Sequence, residues 1–564
     1  MLPFLCLLLT ASCATAQFQT GVQNRVSPAY TSLYQYSLPI PPVKEPKRTY
    51  TSPNGSVIDY YEIDIKPVQQ QVFPNLGQTR LVGYDGMSPG PTFVVQKGRE
   101  AVVRVLNHGD RASAVHLHGA YSRAPFDGWA EDLIQTGQYK DYYYPTGQNA
   151  RTLWYHDHAM DHTAENAYFG QAGFWIIHDS EELAVPGLPQ GKYDIPLGLT
   201  SKRYNSDGLL WSPDANGEST SLYGDVIQVN GQPWPFLNVE PRKYRLRFLN
   251  AAISRSFQLY FENNAGTRQS FKVVGADSGL LTAPVTSTSL DLSMAERWEV
   301  VFDFAAFRGQ NITLRNSRAV GVDTDYPDTD EVMRFVVGTT VTDQTKNENL
   351  PSTLRSVPFP PTKSAVDRIF NFQRDANGWN INGAHFSDGA AARVISKPPR
   401  GKVEVWDLVS NNGPWTHPVH VHMVDFQIIS RTGGRGTVSA YEKAALKDTV
   451  WLNSGESVRV IARFAPWDGL YMFHCHNLIH KDHEMMAAMN ITELSDLGYP
   501  ETTRFLDPMD SKYRAKTFRQ QAFTRRAGIF SPKQIDAKCA FFDSLNAYRD
   551  VDGVENALDD YWAR

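Results

Sequence analysis

The sequence predicts an all-β fold of antiparallel sandwiches or barrels. Its most patterned segments alternate apolar and other residues in step: Tyr244, Leu246 and Phe248 around Arg245 and Arg247; Trp298, Val300, Phe302 and Phe304; and Val458, Val460, Ala462 and Phe464. Alternation with period two sends successive side chains to opposite faces of a strand. The 40 glycines and 34 prolines supply the turns that short strands require. Length is the third observation: 564 residues exceed what one hydrophobic core supports and suffice for three or four domains.

Residues 1–16, MLPFLCLLLTASCATA, hold an apolar run followed by Ala14-Thr15-Ala16, the small-x-small pattern of a secretory cleavage site, although the usual basic residue ahead of the run is missing. Residues 17–48 are polar and proline-rich, end in Lys47-Arg48, and read as a propeptide or an extended arm. Strand patterning then fills 49–180, 181–346 and 365–500, with breaks near Asp179–Pro189 and in the proline-rich NLPSTLRSVPFPPTK, which makes 347–364 a linker. The remainder, 501–564, turns helical. Within it, Ser531 is placed to cap a helix whose first position is Pro532, and Ile535, Cys539 and Phe542 share one face.

The formal charge of −5 is well mixed along the chain, which excludes a nucleic-acid footprint and a polybasic membrane surface. After the leader, no stretch reaches the roughly 18 apolar residues of a membrane span. The expectation is a secreted, extracellular monomer, with sequons at Asn54, Asn311 and Asn490 compatible with glycosylation. Cys6 and Cys13 leave with the leader. Cys539 reads as a buried apolar residue, so Cys475 is free to act as a thiolate.

Tyr471–Met486, YMFHCHNLIHKDHEMM, sets Cys475 between His474 and His476, with His480 five and Met485 ten residues after the cysteine. A thiolate, an imidazole and a distant thioether suit an electron-transfer copper of the blue kind. Three further segments carry closely spaced histidines: His116-Leu117-His118, His156-Asp157-His158, and His417-Pro418-Val419-His420-Val421-His422. Residues i and i+2 of a strand share a face, so four His-x-His pairs turn eight imidazoles towards one locus while Cys475 points away from it. His417, three residues before His420, falls out of the paired set and can turn towards the cysteine.

Two ligand groups follow. Cys475, His417 and His480, with Met485 as the weak axial group, make one copper site. His116, His118, His156, His158, His420, His422, His474 and His476 hold three more coppers, at two or three imidazoles each. Zinc would favour isolated tetrahedral sets and would leave Met485 and the surplus histidines unexplained. None of the fifteen histidines lies between His178 and His385, so the site must join the first third of the chain to the last. His108, His162, His178, His385 and His483 are off the spacing and read as ordinary polar or surface histidines.

These four segments resemble the copper-binding signatures of the multicopper oxidases. YDGMSPGPTF at 84–93 is similar to the family's first-domain signature, and VNGQPWPF, YRLRFLNAA and SMAERWEVVFDF to its second domain. HLHGAYSRAPFDGWAEDL, RTLWYHDHAMDHTAENAYFGQAG and WTHPVHVHMVDF look like the fungal bilirubin oxidases within that family rather than typical fungal laccases. The resemblance implies three cupredoxin-like Greek-key β-sandwiches, with no copper ligand in 181–346. It also implies four coppers. The type 1 copper takes the cysteine group, the type 2 copper takes His116 and His420, and the type 3 pair takes His118, His156 and His476 on one ion and His158, His422 and His474 on the other. Asp127 matches an acid that helps deliver protons near the trinuclear cluster. Trp415 matches a tryptophan that modifies the type 1 histidine and influences substrate oxidation. Where many relatives carry an acid directly after the second type 1 histidine, this chain has Lys481, which casts doubt on a proton route through that position.

The activity implied is one-electron oxidation of bilirubin-like tetrapyrroles or phenols, coupled to reduction of O2 to water. A laccase-like phenol oxidase would share every ligand. An oxidase of Cu(I) or Fe(II) would be expected to show a methionine-rich insert or an acidic cluster by the type 1 site, and neither is evident in the sequence. A simple copper carrier would have no use for eight further histidines.

Overall fold

The computed structural model describes residues 21–410, 413–494, 505–545 and 551–563. The leader and its cleavage signal, with Cys6 and Cys13, lie outside the described residues. Three β-sandwiches follow one another along the chain. The first packs a six-stranded sheet, centred on Val57–Gln70 and Glu100–Asn107, with a four-stranded one. In the latter, Gly90–Gln96, Ala172–His178, Arg151–Asp157 and Val115–His118 lie side by side in that order. The second sandwich has sheets of seven and six strands between Asp194 and Val337. The third has two five-stranded sheets, one of which orders Val394–Ser396, Met486–Ile491, Gly469–Cys475, His417–Val421 and Thr449–Leu452.

Pairing departs from the purely antiparallel expectation. Val57–Gln70 runs parallel to Glu100–Asn107, Asp194–Lys202 to Lys243–Asn250, and Arg368–Asp375 to Val403–Ser410. Alternation reports which face a side chain takes, not the direction of the neighbouring strand, and parallel neighbours need a crossover rather than a hairpin.

The alternation at 243–250 also misleads about exposure. Arg245 and Arg247 are as buried as the apolar residues between them. Arg245 donates to Glu299 and Glu182; Arg247 reaches Glu299 at 2.8 Å, Asp194 at 2.7 Å and the Thr152 hydroxyl at 2.8 Å. This face of the second sandwich is covered by the first, so its charges are paired because they are out of water.

One apolar core runs without a break through the first and third sandwiches and takes in the C-terminal segment. Phe126 meets Tyr513 at 5.0 Å and Phe542 at 5.7 Å between ring centroids. The helix Pro532–Leu545 buries Ile535, Cys539 and Phe542 as expected, and Lys516–Thr517 adds a short strand beside Gln138–Tyr144 of the first sandwich. The C-terminal extension is therefore part of the joint between the outer sandwiches. At the other end, the described part of residues 17–48 packs as an arm: Ser27 N donates to Asp225 at 2.7 Å, and Tyr30 and Leu38 enter the core of the second sandwich.

Candidate metal centre

Most of the copper-ligand candidates lie on two pairs of strands or on the residue just past their ends, while His480 lies in the short helix Leu478–Asp482 and Met485 in the loop after it. In the first sandwich, His116 is directly opposite His156 across Val115–His118 and Arg151–Asp157. In the third, His420 is directly opposite His474, and Val419 opposite Cys475, across His417–Val421 and Gly469–Cys475. Residues facing each other across a ladder share a face, so each strand pair offers a patch of imidazoles, and the two patches are pressed together. The His118 ring stacks on His420 at 3.6 Å and 18°, and His116 lies over His422 at 4.0 Å. All eight histidines are at most 1% exposed.

The ligand nitrogens gather in three groups. His116, His118 and His420 form one convergent group, His118, His156 and His476 a second, and His158, His422 and His474 a third; within each, the candidate atoms lie within 4.8 Å of one another. Hydrogen bonds fix most of the tautomers. Nδ1 faces a carbonyl oxygen in His116 (Asp127, 2.6 Å), His156 (Asp157, 2.7 Å), His420 (Asp448, 2.9 Å) and His474 (Cys475, 2.9 Å). A carbonyl only accepts, so each Nδ1 carries the proton and each Nε2 presents a lone pair. His422 does the same against the Asp127 carboxylate at 2.7 Å. His118 is reversed: its Nε2 faces Asp448 at 3.0 Å and Thr449 at 3.1 Å, which leaves Nδ1 turned inward.

The freed nitrogens point at one another: His420 and His116 at 3.4 Å, His156 and His118 at 3.4 Å, and His422 and His474 at 3.2 Å. His158 Nε2 joins them at 3.1 Å from His474, with no partner at its Nδ1 among the described residues to fix its tautomer. Lone pairs aimed together without protons between them repel unless a cation lies among them. That donor set fits copper, since neutral imidazole is a ligand and the other ring nitrogen is held by a fixed acceptor.

Cys475 occupies the opposite face. Its Sγ lies 3.6 Å from His417 Nδ1 and 3.7 Å from His480 Nδ1, and the two imidazole nitrogens are 3.2 Å apart. Asn477 orients this site: its N–H points to Sγ at 3.3 Å and its side-chain amide to His480 Nε2 at 3.2 Å. Met485 is fully buried, and its carbonyl accepts from Cys475 N at 3.2 Å, closing the loop. Burial pushes the Cys475 thiol up, away from the thiolate, so a bound cation is what makes it an anionic ligand.

Asp127, at the end of the turn Ala124–Phe126, is 2% exposed and touches one histidine from each outer sandwich, His116 through its carbonyl and His422 through Oδ2. Its Oδ1 has no hydrogen-bond partner among the described residues, and desolvation holds its carboxyl well above the usual range. Lys481 is also buried. Its ammonium reaches Thr163 Oγ1 at 2.5 Å and Ala159 O at 3.4 Å and lies 3.3 Å from Asp482, whose other oxygen accepts from Ala164 N at 2.6 Å. The pair ties the short helix Leu478–Asp482 to Thr163–Phe169, just after His156-Asp157-His158.

Trp415 meets Trp379 edge to face at 4.8 Å, and Trp379 stacks on His480 at 3.7 Å and 22°. Arg374 lies over both indoles, at 5.0 and 5.8 Å. Sequence reasoning missed Trp379, Asn477, Asp448 and Arg297. Asn477 sits inside the cysteine motif and Arg297 inside SMAERWEVVFDF, both within reach; Trp379 and Asp448 lie in segments with no motif of their own. Of the five histidines set aside, His178 is paired with Glu182 at 2.7 Å and His108 faces Gln520 at 3.0 Å.

Profiles described as multicopper oxidase match residues 68–182, 152–331 and 358–495. The chain is 51% identical over 539 residues to a bilirubin oxidase from Albifimbria verrucaria, covering 94% of this chain and 93% of that one. It is 34% identical to a laccase from Bacillus subtilis (strain 168), covering 81% of this chain and 98% of the laccase. Among solved structures, a multi-copper oxidase from Pediococcus acidilactici superimposes with a TM-score of 0.72 at 25% identity, over 86% of this chain and 96% of that one.

Burial holds the cluster histidines uncharged, with His116, His417 and His474 lowered to about 3. An unfolded histidine titrates at about 6.5, so below that pH the unfolded copper-free chain takes up protons that the folded one refuses. Stability of the copper-free protein should therefore fall as pH drops from about 6.5 towards 3. Urea midpoints measured across that range check this; a flat profile would contradict the burial.

Proposed function

The chain belongs to the multicopper oxidase family, and on that premise we propose that it is a secreted oxidase. It takes single electrons from organic donors, bilirubin-like tetrapyrroles and phenols, and reduces O2 to water. The observation that carries the reading is the position of Cys475, whose Sγ faces His417 and His480 while its two chain neighbours sit in the other cluster. In this reading His417, Cys475, His480 and Met485 hold type 1 copper, and His116 and His420 type 2. His118, His156 and His476, with His158, His422 and His474, hold the type 3 pair. Bound copper supplies one-electron exchange with the donor at the first site and four-electron reduction of O2 to two waters at the second.

The chain's own residues do the rest. The peptide bonds from Cys475 to His474 and His476 join the two ligand sets covalently. Trp415 is half-buried and meets the buried Trp379, which covers the His480 ring, so a flat donor resting on Trp415 would be linked to His480 through two aromatic contacts. Asp127 Oδ1 is the atom placed to hold a proton beside the cluster. Lys481, an ammonium engaged in joining two helices, does not take that part. The leader at 1–16 supports secretion, and no helix among the described residues is long and apolar enough to cross a membrane. A monomer remains part of the proposal, and of the sequons Asn54 is the most exposed.

The donor preference is tested by comparing kcat/KM for bilirubin, a diphenol and Fe(II) under O2; a dominant Fe(II) activity would replace the organic donor with a metal ion. Cys475→Ser should abolish both the intense blue thiolate-to-copper absorption and turnover, and a blue, active variant would sink the assignment. Asp127→Asn should leave copper content nearly unchanged while slowing O2 reduction by roughly 100-fold or more, the scale of a lost general acid. Unchanged turnover in that variant removes Asp127 from proton delivery.

A further inference from the structure

The second sandwich supplies no histidine, yet one of its side chains holds the carboxylate behind His118. We propose that Arg297 is a positioning residue for the trinuclear site: by gripping Asp448 it fixes the His118 ring so that Nδ1, not Nε2, is offered to the metal. The proposal rests on reading the eight histidines as copper ligands and deepens it.

Among the described residues, His118 is the one histidine of the set whose Nε2, rather than Nδ1, meets protein oxygens: the Asp448 carboxylate at 3.0 Å and the Thr449 hydroxyl at 3.1 Å, which itself donates to that carboxylate at 3.0 Å. The same residue's carbonyl accepts from His420 Nδ1 at 2.9 Å, so Asp448 sets the orientation of two rings that stack on each other. Its carboxylate is in turn held at both oxygens by Arg297, with Nη1 to Oδ1 at 2.7 Å and Nη2 to Oδ2. A two-pronged guanidinium fixes the plane of a carboxylate as well as its position, which an ammonium cannot do.

Arg297 is itself over-determined. Its Nε donates to Thr152 O at 2.9 Å in the first sandwich, Nη1 to Ala295 O at 3.1 Å, and Nη2 to Asp277 O at 3.3 Å. Asp277 then closes the loop by accepting from Asp448 N at 3.1 Å and Thr449 N at 3.2 Å in the third sandwich. One guanidinium thus touches all three sandwiches, and Arg297, Asp448 and His118 are at most 1% exposed. Gly119 belongs to the same arrangement. A Cβ there would lie 2.6 Å from both Arg297 Nη2 and Asp448 Oδ2, so the residue after His118 must lack a side chain for the pair to sit against that strand.

A buried ion pair can also be mere interdomain glue, and the test separates the two roles. Full-length, copper-loaded Asp448→Asn, Arg297→Lys and Arg297→Met proteins are compared with wild type by copper per chain, blue type 1 absorption, near-ultraviolet absorption and paramagnetic resonance of the type 3 pair, thermal midpoint and turnover. The expected result is an intact blue band with a weakened or uncoupled type 3 signature. Turnover should fall roughly 10- to 100-fold, the usual cost of losing a partner behind a metal ligand, with Arg297→Lys between Arg297→Met and wild type. Should Arg297→Met fail to fold, Asp448→Asn and Arg297→Lys carry the test. Wild-type type 3 signals in those variants, or parallel loss of the blue and type 3 signals, overturns the positioning role. A wild-type protein that binds copper only at Cys475 overturns the reading beneath it instead.

Discussion

Everything in this molecule is arranged around imidazole lone pairs that converge in a buried space. His420 and His116, and His422 and His474, bring unprotonated nitrogens to within 3.2–3.4 Å. Such an assembly is unfavourable on its own and becomes favourable only when a cation takes the lone pairs. The surrounding fold therefore has two tasks: to keep the rings uncharged and to prevent them from turning away. Burial does the first. Fixed acceptors on the far ring nitrogens do the second, most of them backbone carbonyls that cannot rotate independently.

The cluster lies between two sandwiches, so its geometry is only as good as their alignment. Three joints maintain it. A shared apolar core, extended by the C-terminal helices, unites the first and third sandwiches. Lys481 and Asp482 tie the helix beyond Cys475 to the one beyond His158. The second sandwich braces the other side through buried polar contacts, including the hydrogen bond from Arg247 to the Thr152 hydroxyl in the first sandwich and the ion pair of Arg297 with Asp448 in the third. A sandwich without copper ligands thus has a reason to be where it is.

Lys481 illustrates how a local change of charge is absorbed. An ammonium beside a cluster of metal ions would be costly if it faced them with nothing to bind. Here it is directed to a carbonyl, a hydroxyl and the neighbouring carboxylate, which keep it hydrogen-bonded and paired. Asp127, the carboxylate proposed to hold protons, instead touches His116 and His422 together.

Much of this was legible in the sequence because it depends on short-range periodicity. Spacings of two, three and five residues placed eight histidines on one face and Cys475, His417 and His480 on the other, and the histidine-free middle placed the site between the ends of the chain. Strand alternation identified the sandwiches. It could not distinguish parallel from antiparallel neighbours, nor a solvent-facing arginine from Arg245 and Arg247, buried under another sandwich. Tertiary structure alone decided which ring nitrogen each histidine offers, that Trp379 covers His480, and that Arg297 and Asp448 stand behind His118. A motif records which residues share a strand face; the partners that orient them come from distant strands, through contacts that leave no period in the chain.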